Sequence, residues 1–228
     1  MILLNGNKWG TGALINTTAD NYHPYLLTAH HLPNKSGYDA VANNSPFIPQ
    51  LMFYWHYESP TCPNAFPAIR TTVGAKLVAN NSISDFALFD LSGYNSDPRM
   101  RNDVTPYFLG WDFTEYSGTG GVCIHHPQGD IKKIATYTTT PRSTAELDDF
   151  EIWHESFWRV VWEPTTHNGV TKHGVTEKYS SGSPLINSNR KVIGQLRGGY
   201  ASCDLKNSPD WYGKLQYTLG RYSVIIRH

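Results

Sequence analysis

Short runs of aliphatic, β-branched and aromatic residues, each closed by glycine, proline, asparagine or serine, recur along the whole 228-residue chain. They cover Gly12 to Asn16, Tyr25 to Ala29, Leu51 to Tyr57, Ala75 to Ala79, Phe86 to Leu91, Pro106 to Trp111, Gly121 to His125, Ile131 to Thr138, Phe157 to Trp162, Pro184 to Ile186, Lys191 to Leu196 and Gly213 to Thr218. Many short strands with turn residues between them predict an all-β sandwich or barrel, and periodicity alone does not choose between these. Aromatic residues at 13%, with 14 Pro and 19 Gly, fit that architecture better than a helix bundle. Asn187-Ser188-Asn189-Arg190 reads as a hairpin turn. The stretch Ser143 to Glu155, with Ala145-Glu146-Leu147-Asp148-Asp149, is expected to include a helical turn. A polar stretch from Ser92 to Asp103 is the best boundary, dividing the chain into 1–92 and 93–228.

The composition excludes several classes of function. With 19 Lys+Arg against 19 Asp+Glu, no electrostatic footprint argues for nucleic acid or an anionic surface. No apolar run approaches the length of a membrane span, so membrane insertion is not expected. Met1-Ile2-Leu3-Leu4 lacks the flanks of a signal peptide, and any export information is expected to lie upstream. Three cysteines, Cys62, Cys123 and Cys203, are an odd number, so at least one is free or pairs elsewhere.

Three segments carry chemistry in a particular order. Leu26-Leu27-Thr28-Ala29-His30-His31 comes first, Ser84-Asp85-Phe86-Ala87-Leu88-Phe89 second and Tyr179-Ser180-Ser181-Gly182-Ser183-Pro184 last. A serine hydroxyl is a poor nucleophile unless an imidazole removes its proton. The imidazole in turn needs a carboxylate to fix its tautomer and to stabilise the imidazolium. Alone, the serine segment is a loop, the histidines close a strand and the aspartate starts one. Together, in this order, they point to nucleophilic acyl transfer by one serine of the last segment, one histidine of the first and Asp85.

The segment Thr28-Ala29-His30-His31 resembles the histidine motif of trypsin-fold serine peptidases, and its doubled histidine is similar in particular to lysyl endopeptidases. Gly12-Ala13-Leu14-Ile15-Asn16, Ile124-His125-His126-Pro127-Gln128-Gly129-Asp130, Gly194-Gln195-Leu196-Arg197-Gly198-Gly199 and Asp210-Trp211-Tyr212-Gly213 resemble the same family, from about Gly12 to about Leu215. The resemblance implies two six-stranded-type antiparallel β-barrels, with His31 and Asp85 on the first, Ser181 on the second and the active site in the cleft between them. It implies that the second histidine of the pair is the base and that the serine followed by Gly182 is the nucleophile. The backbone N–H groups of Tyr179 and Ser181 would form the oxyanion hole, and Asp210 would receive a lysine ammonium at the base of the primary pocket. Without the resemblance Asp210 reads as a solvated loop residue. Arg197 stands where the family has histidine, and a guanidinium there would weaken or alter a lysine preference. Gly198 and Gly199 would admit an extended substrate strand. Trp158 or Trp162 would cover the pocket or belong to the barrel core.

Departures from the family sharpen the expectations. Tyr179 replaces a glycine whose backbone angles a bulky residue resists, so its N–H is expected to be turned away if the hole has collapsed, and to point beside that of Ser181 if the chain is active. Ser180 replaces the aspartate that pairs with a freed N-terminus in trypsin-like enzymes activated by cleavage, so activation by N-terminal insertion is not expected. Thr11 and Leu32 stand in place of a disulfide's two cysteines and are expected side by side. Cys62 and Cys203 fall where the family has cysteines bonded to an N-terminal segment, although all three cysteines also read as ordinary buried thiols. The resemblance implies secretion and a protein or peptide substrate, with no cofactor. The pairs His30-His31 and His125-His126 invite a zinc reading, but His-Glu-x-x-His and Cys-x-x-Cys are both lacking. Sequons at Asn16, Asn43 and Asn80 carry no argument. Two functions from different classes stand: a serine endopeptidase cutting after lysine or arginine, and a catalytically impaired relative that binds peptide or protein through the same cleft.

Overall fold

The structure is a computed structural model, and it describes residues 1–32, 47–115, 118–147, 150–151 and 155–222. Two curled antiparallel sheets of seven strands each make up most of it, one strand more per sheet than expected. The first contains β1 (Ile2–Leu4), β2 (Asn7–Gly10), β3 (Ala13–Ile15), β4 (Tyr25–Ala29), β5 (Phe47–Trp55), β6 (Arg70–Asn81) and β7 (Phe86–Asp90), in the order β2-β1-β5-β6-β7-β4-β3. The β1–β2 hairpin supplies strands that the sequence reading did not include, because it is only a few residues long and turns on Asn5 and Gly6, both at positive φ.

The second sheet contains β8 (Gly121–His125), β9 (Lys133–Tyr137), β10 (Arg142–Thr144), β13 (Phe157–Val161), β16 (Pro184–Asn187), β17 (Val192–Gly199) and β18 (Pro209–Lys214), in the order β10-β13-β18-β17-β16-β8-β9. Two small hairpins stand apart from it, β11 (Glu146–Leu147) with β12 (Phe150–Glu151) and β14 (Thr165–His167) with β15 (Val170–Lys172). The turn at Asn187 joins β16 to β17 as read from the sequence, with Arg190 at positive φ.

Period-two alternation builds three apolar clusters. Leu14, Leu26, Ala87 and Phe89 point into the first sheet's core with Ile48, Leu51 and Phe53. Their neighbours Ile15, Tyr25, Leu27, Phe86 and Leu88 point the other way and meet Ile186 and Val192 from the second sheet. Alternate residues Leu185 and Ile193 enter the second core with Cys123, Tyr137, Trp158, Trp162 and Tyr212. Strands β4 and β7 are therefore apolar on both faces, and their runs read as continuous rather than alternating. Burial on both faces makes this junction rigid, and the candidate site is built at its edge.

Three sequence expectations are corrected. Pro106 to Trp111 is no strand; it crosses between the sheets and touches each through single bridges, Ile15 to Leu109 and Trp111 to Val192. The run Gly213 to Thr218 ends its strand at Lys214 and continues as helix α1 (Leu215–Tyr222). The helical turn expected after Ser143 is a hairpin, because Glu146 and Leu147 pair with Glu151 and Phe150. Asp148, Asp149 and the sequon at Asn43 lie outside the described residues.

Candidate active site

Strand register explains how two segments 54 residues apart meet. In the β4–β7 ladder Ala29 pairs with Phe86, so the next step outward sets His30 opposite Asp85, and the His30 N–H donates to the Asp85 carbonyl at 2.9 Å. Asp85 holds φ at +53°, left-handed for a residue that is not glycine. Its side chain turns back onto His31: Oδ2 lies 2.7 Å from Nδ1, and Oδ1 accepts the His31 backbone N–H at 2.8 Å. An ionised carboxylate only accepts, so Nδ1 carries the hydrogen and the neutral ring keeps Nε2 as its acceptor.

The second sheet grips the loop before Asp85. Gln195 Nε2 on β17 donates to the Ser84 carbonyl at 2.7 Å, and Ser156 Oγ donates to the Ile83 carbonyl at 3.0 Å. Gly213 on β18 makes room for this, since a Cβ there would stand 1.7 Å from the Ser84 oxygen.

Ser181 lies in the turns leading into β16. Gly182, at φ +84°, fits against the end of β4 so closely that a Cβ would meet Thr28 Oγ1 at 2.1 Å and the Ala29 nitrogen at 2.9 Å. The serine segment is thus seated on the strand that ends at His31. Ser181 Oγ donates to the Arg197 carbonyl at 3.4 Å, and among the described residues it makes no hydrogen bond with His31. Such contacts tighten in complexes with substrate. Arg197 is the extra residue of a bulge between Leu196 and Gly198, which turns its carbonyl toward the serine.

Tyr179 takes the conformation that glycine would. The Ser180 N–H donates to the Glu177 carbonyl at 3.0 Å, and Tyr179, third of the four residues, has φ +71°, the signature of a type II turn. A residue with a Cβ is disfavoured there by about 1–2 kcal/mol. The Lys178 carbonyl accepts the Gln128 N–H at 2.7 Å, which fixes the 178–179 peptide and directs the Tyr179 N–H away from Gln128. Among the described residues neither the Tyr179 nor the Ser181 N–H has a hydrogen-bond partner. Between them Ser180 is fully buried, its hydroxyl 2.8 Å from His125 Nδ1 and accepting the Glu177 N–H at 3.2 Å.

Asp210 is fully buried, not a solvated loop residue. It accepts Trp162 Nε1 at 2.6 Å, the Ala201 N–H at 3.3 Å and the Thr176 hydroxyl. Gly199 accommodates it, because a Cβ at 199 would lie 2.2 Å from Asp210 Oδ1, while Gly198, at φ +151°, faces open space. No ion pair joins Arg197 to Asp210 among the described residues. Trp158 and Trp162 both belong to the second core. Leu32 lies against Gly10, the neighbour of Thr11, through a δ-methyl 2.4 Å from where a Gly10 Cβ would stand. Cys62 and Cys203 are free and exposed, and both line a groove of about 720 Å³; Cys123 is buried, with its thiol pushed up to about 12 by desolvation.

Several residues of the motif segments therefore act as scaffold, which spacing did not reveal. Gln195 and Gly213 hold the Asp85 loop, and His125, Gln128 and Thr11 surround the Tyr179 turn. His125 is also a source of acid sensitivity. Burial lowers its imidazole to about 4, and burial holds the adjacent His126 well below its ordinary value too. The unfolded chain binds these protons near pH 6.5 and the folded chain does not, so stability is full above that pH and falls as pH drops toward 4. His125 alone accounts for about 3 kcal/mol of this loss. Urea unfolding at pH 7 and pH 4.5 checks it: His125→Asn is expected to shrink the difference by about 2–3 kcal/mol while the share of His126 remains, and an unchanged difference refutes the assignment.

Two curled antiparallel sheets with this junction define a trypsin-like peptidase fold. The chain belongs to the lysyl endopeptidase C-terminal domain family, which matches residues 1–213. Solved structures agree in fold. The HtrA-type protease AlgW with a decapeptide superposes with TM-score 0.55 at 18% identity over 96% of this chain and 52% of that one. The MamO protease domain from Magnetospirillum magneticum gives 0.50 at 14%, over 93% and 87%. Rv3671c from M. tuberculosis H37Rv in an inactive form gives 0.52 at 14%, over 95% and 80%. This chain spans about half the length of AlgW.

Proposed function

We propose that this chain is a serine endopeptidase that forms an acyl-enzyme and cuts after lysine or arginine. The observation that carries the reading is the double grip of Asp85 on His31, which fixes the ring through Nδ1 and leaves Nε2 as the nitrogen available to act as base. Ser181 Oγ attacks the scissile carbonyl as His31 Nε2 takes its proton. The oxyanion is received by the N–H groups of Tyr179 and Ser181, each donor being worth about 3 kcal/mol in related sites. Collapse expels the amine, which takes the proton from His31, and water then attacks the acyl group by the same route. The buried Asp210 carboxylate, packed against Gly199, would favour a cationic side chain in the primary pocket.

A peptidyl diphenyl phosphonate with lysine at the reacting position, read by intact mass, tests the reading without a known substrate. Wild type is expected to gain one adduct on Ser181, Ser181→Ala none, and a leucine analogue is expected to react more slowly. Tyr179→Gly is expected to change the rate only modestly, since the turn already has its glycine-like form. An inert wild type that Tyr179→Gly activates supports the alternative, a cleft that binds peptide or protein without cutting it.

A further inference from the structure

We infer that Thr11 is a positioning residue whose hydroxyl holds the Tyr179 turn open for the oxyanion. The inference rests on the peptidase reading above. Thr11 sits in the link between β2 and β3, is 3% exposed, and is 168 residues from Tyr179 in sequence. Its Oγ1 donates to the Tyr179 carbonyl at 3.0 Å and accepts the His126 N–H at 3.2 Å. A threonine hydroxyl has one hydrogen to give, so these two contacts fix its direction. The backbone of Thr11 is held as well: its N–H donates to the Ser181 carbonyl at 2.9 Å, and its carbonyl accepts Thr28 Oγ1 at 2.8 Å. One buried residue of the β2–β3 link thereby holds the carbonyls of both Tyr179 and Ser181, the two residues whose N–H groups the proposed mechanism uses.

Tyr179 explains why a brace is needed. A type II turn and its type I counterpart differ by a flip of the central peptide, here 178–179, and only the first asks for positive φ at the third residue. Glycine adopts that angle freely, whereas tyrosine favours the flip, which would carry its N–H out of the hole. The Gln128 N–H on the Lys178 carbonyl opposes the flip directly, and the Thr11 hydroxyl on the Tyr179 carbonyl fixes the next peptide, 179–180, the frame against which the flipping unit must turn. The brace and the tyrosine are therefore coupled, and the coupling is measurable.

The experiment is a cycle of Thr11→Val and Tyr179→Gly with Thr11→Ser as rescue, read as kcat and KM on a lysyl amide substrate and as the phosphonate inactivation rate. Thr11→Val is expected to lower kcat and the inactivation rate by about 10- to 100-fold with KM little changed, as misplacement near a reacting group does. Thr11→Ser keeps the hydroxyl and is expected to restore most of the rate. In the Tyr179→Gly background the loss from Thr11→Val is expected to shrink severalfold, because glycine holds the turn unaided. Overturning results are Thr11→Val at wild-type rate, Thr11→Ser as poor as Thr11→Val, or an undiminished loss in the glycine background. If Thr11→Val does not fold, Thr11→Ser and the glycine-background double variant decide the matter by the same criteria. A wild type inert to the phosphonate overturns the peptidase reading and this inference together, whereas a reactive wild type indifferent to Thr11 overturns the inference alone.

Discussion

Asp85→Asn is expected to lower kcat by about 10⁴-fold while leaving the fold intact, by analogy with the same exchange in serine proteases. The carboxylate here serves two donors on one residue, the backbone N–H of His31 and its Nδ1–H. Asparagine offers one acceptor and one donor. A backbone N–H can only donate, so it claims the amide oxygen and leaves the NH₂ facing Nδ1. Nδ1 must then accept, the ring proton moves to Nε2, and the base that the proposed mechanism requires is lost. The check is kcat with substrate binding measured separately, since the exchange alters the tautomer rather than the pocket. A variant within tenfold of wild type would show that His31 is not oriented by Asp85 during turnover.

Gly213→Ala should be nearly as damaging from the other side of the junction. A Cβ at 213 would stand 1.7 Å from the Ser84 oxygen and 2.3 Å from Gln195 Nε2, the pair whose hydrogen bond secures the Asp85 loop. The clash is with backbone, so the loop must move by about 1 Å or more, and a displacement of that size costs about 10²-fold in turnover. Overpacking adds about 1–3 kcal/mol of destabilisation, seen as a lower Tm. Both variants act through His31, so Asp85→Asn with Gly213→Ala is expected to be little worse in kcat than Asp85→Asn alone. Full activity in Gly213→Ala would mean that the Ser84 contact does not position the loop.

Local chemistry made much of the fold legible. Runs such as Tyr25-Leu26-Leu27 are strands because their residues suit a pleated surface and turn residues end them. The His, Asp and Ser segments stood out likewise, since each carries a residue of reactive type beside recognisable neighbours. Ambiguity arose where one short apolar run serves either structure. Gly213 to Thr218 is strand and then helix, and only Lys214 pairing with Gly194 shows where the ladder stops. Pro106 to Trp111 has the composition of a strand but no continuous partner.

The site itself divides in the same way. The sequence by itself singled out His31, Asp85 and Ser181 as candidate reactive groups, and it marked Tyr179 as a departure. Tertiary structure alone decided that Tyr179 keeps a left-handed turn, because the forces that hold it come from Thr11 and Gln128, remote in the chain. It likewise decided that Asp210 is a buried acceptor and that Gln195 and Gly213 hold the Asp85 loop. A residue's type states what bonds it can make, and sequence neighbours bias its local angles. Which bonds are made between residues far apart depends on how two sheets pack, and no local pattern encodes that distance.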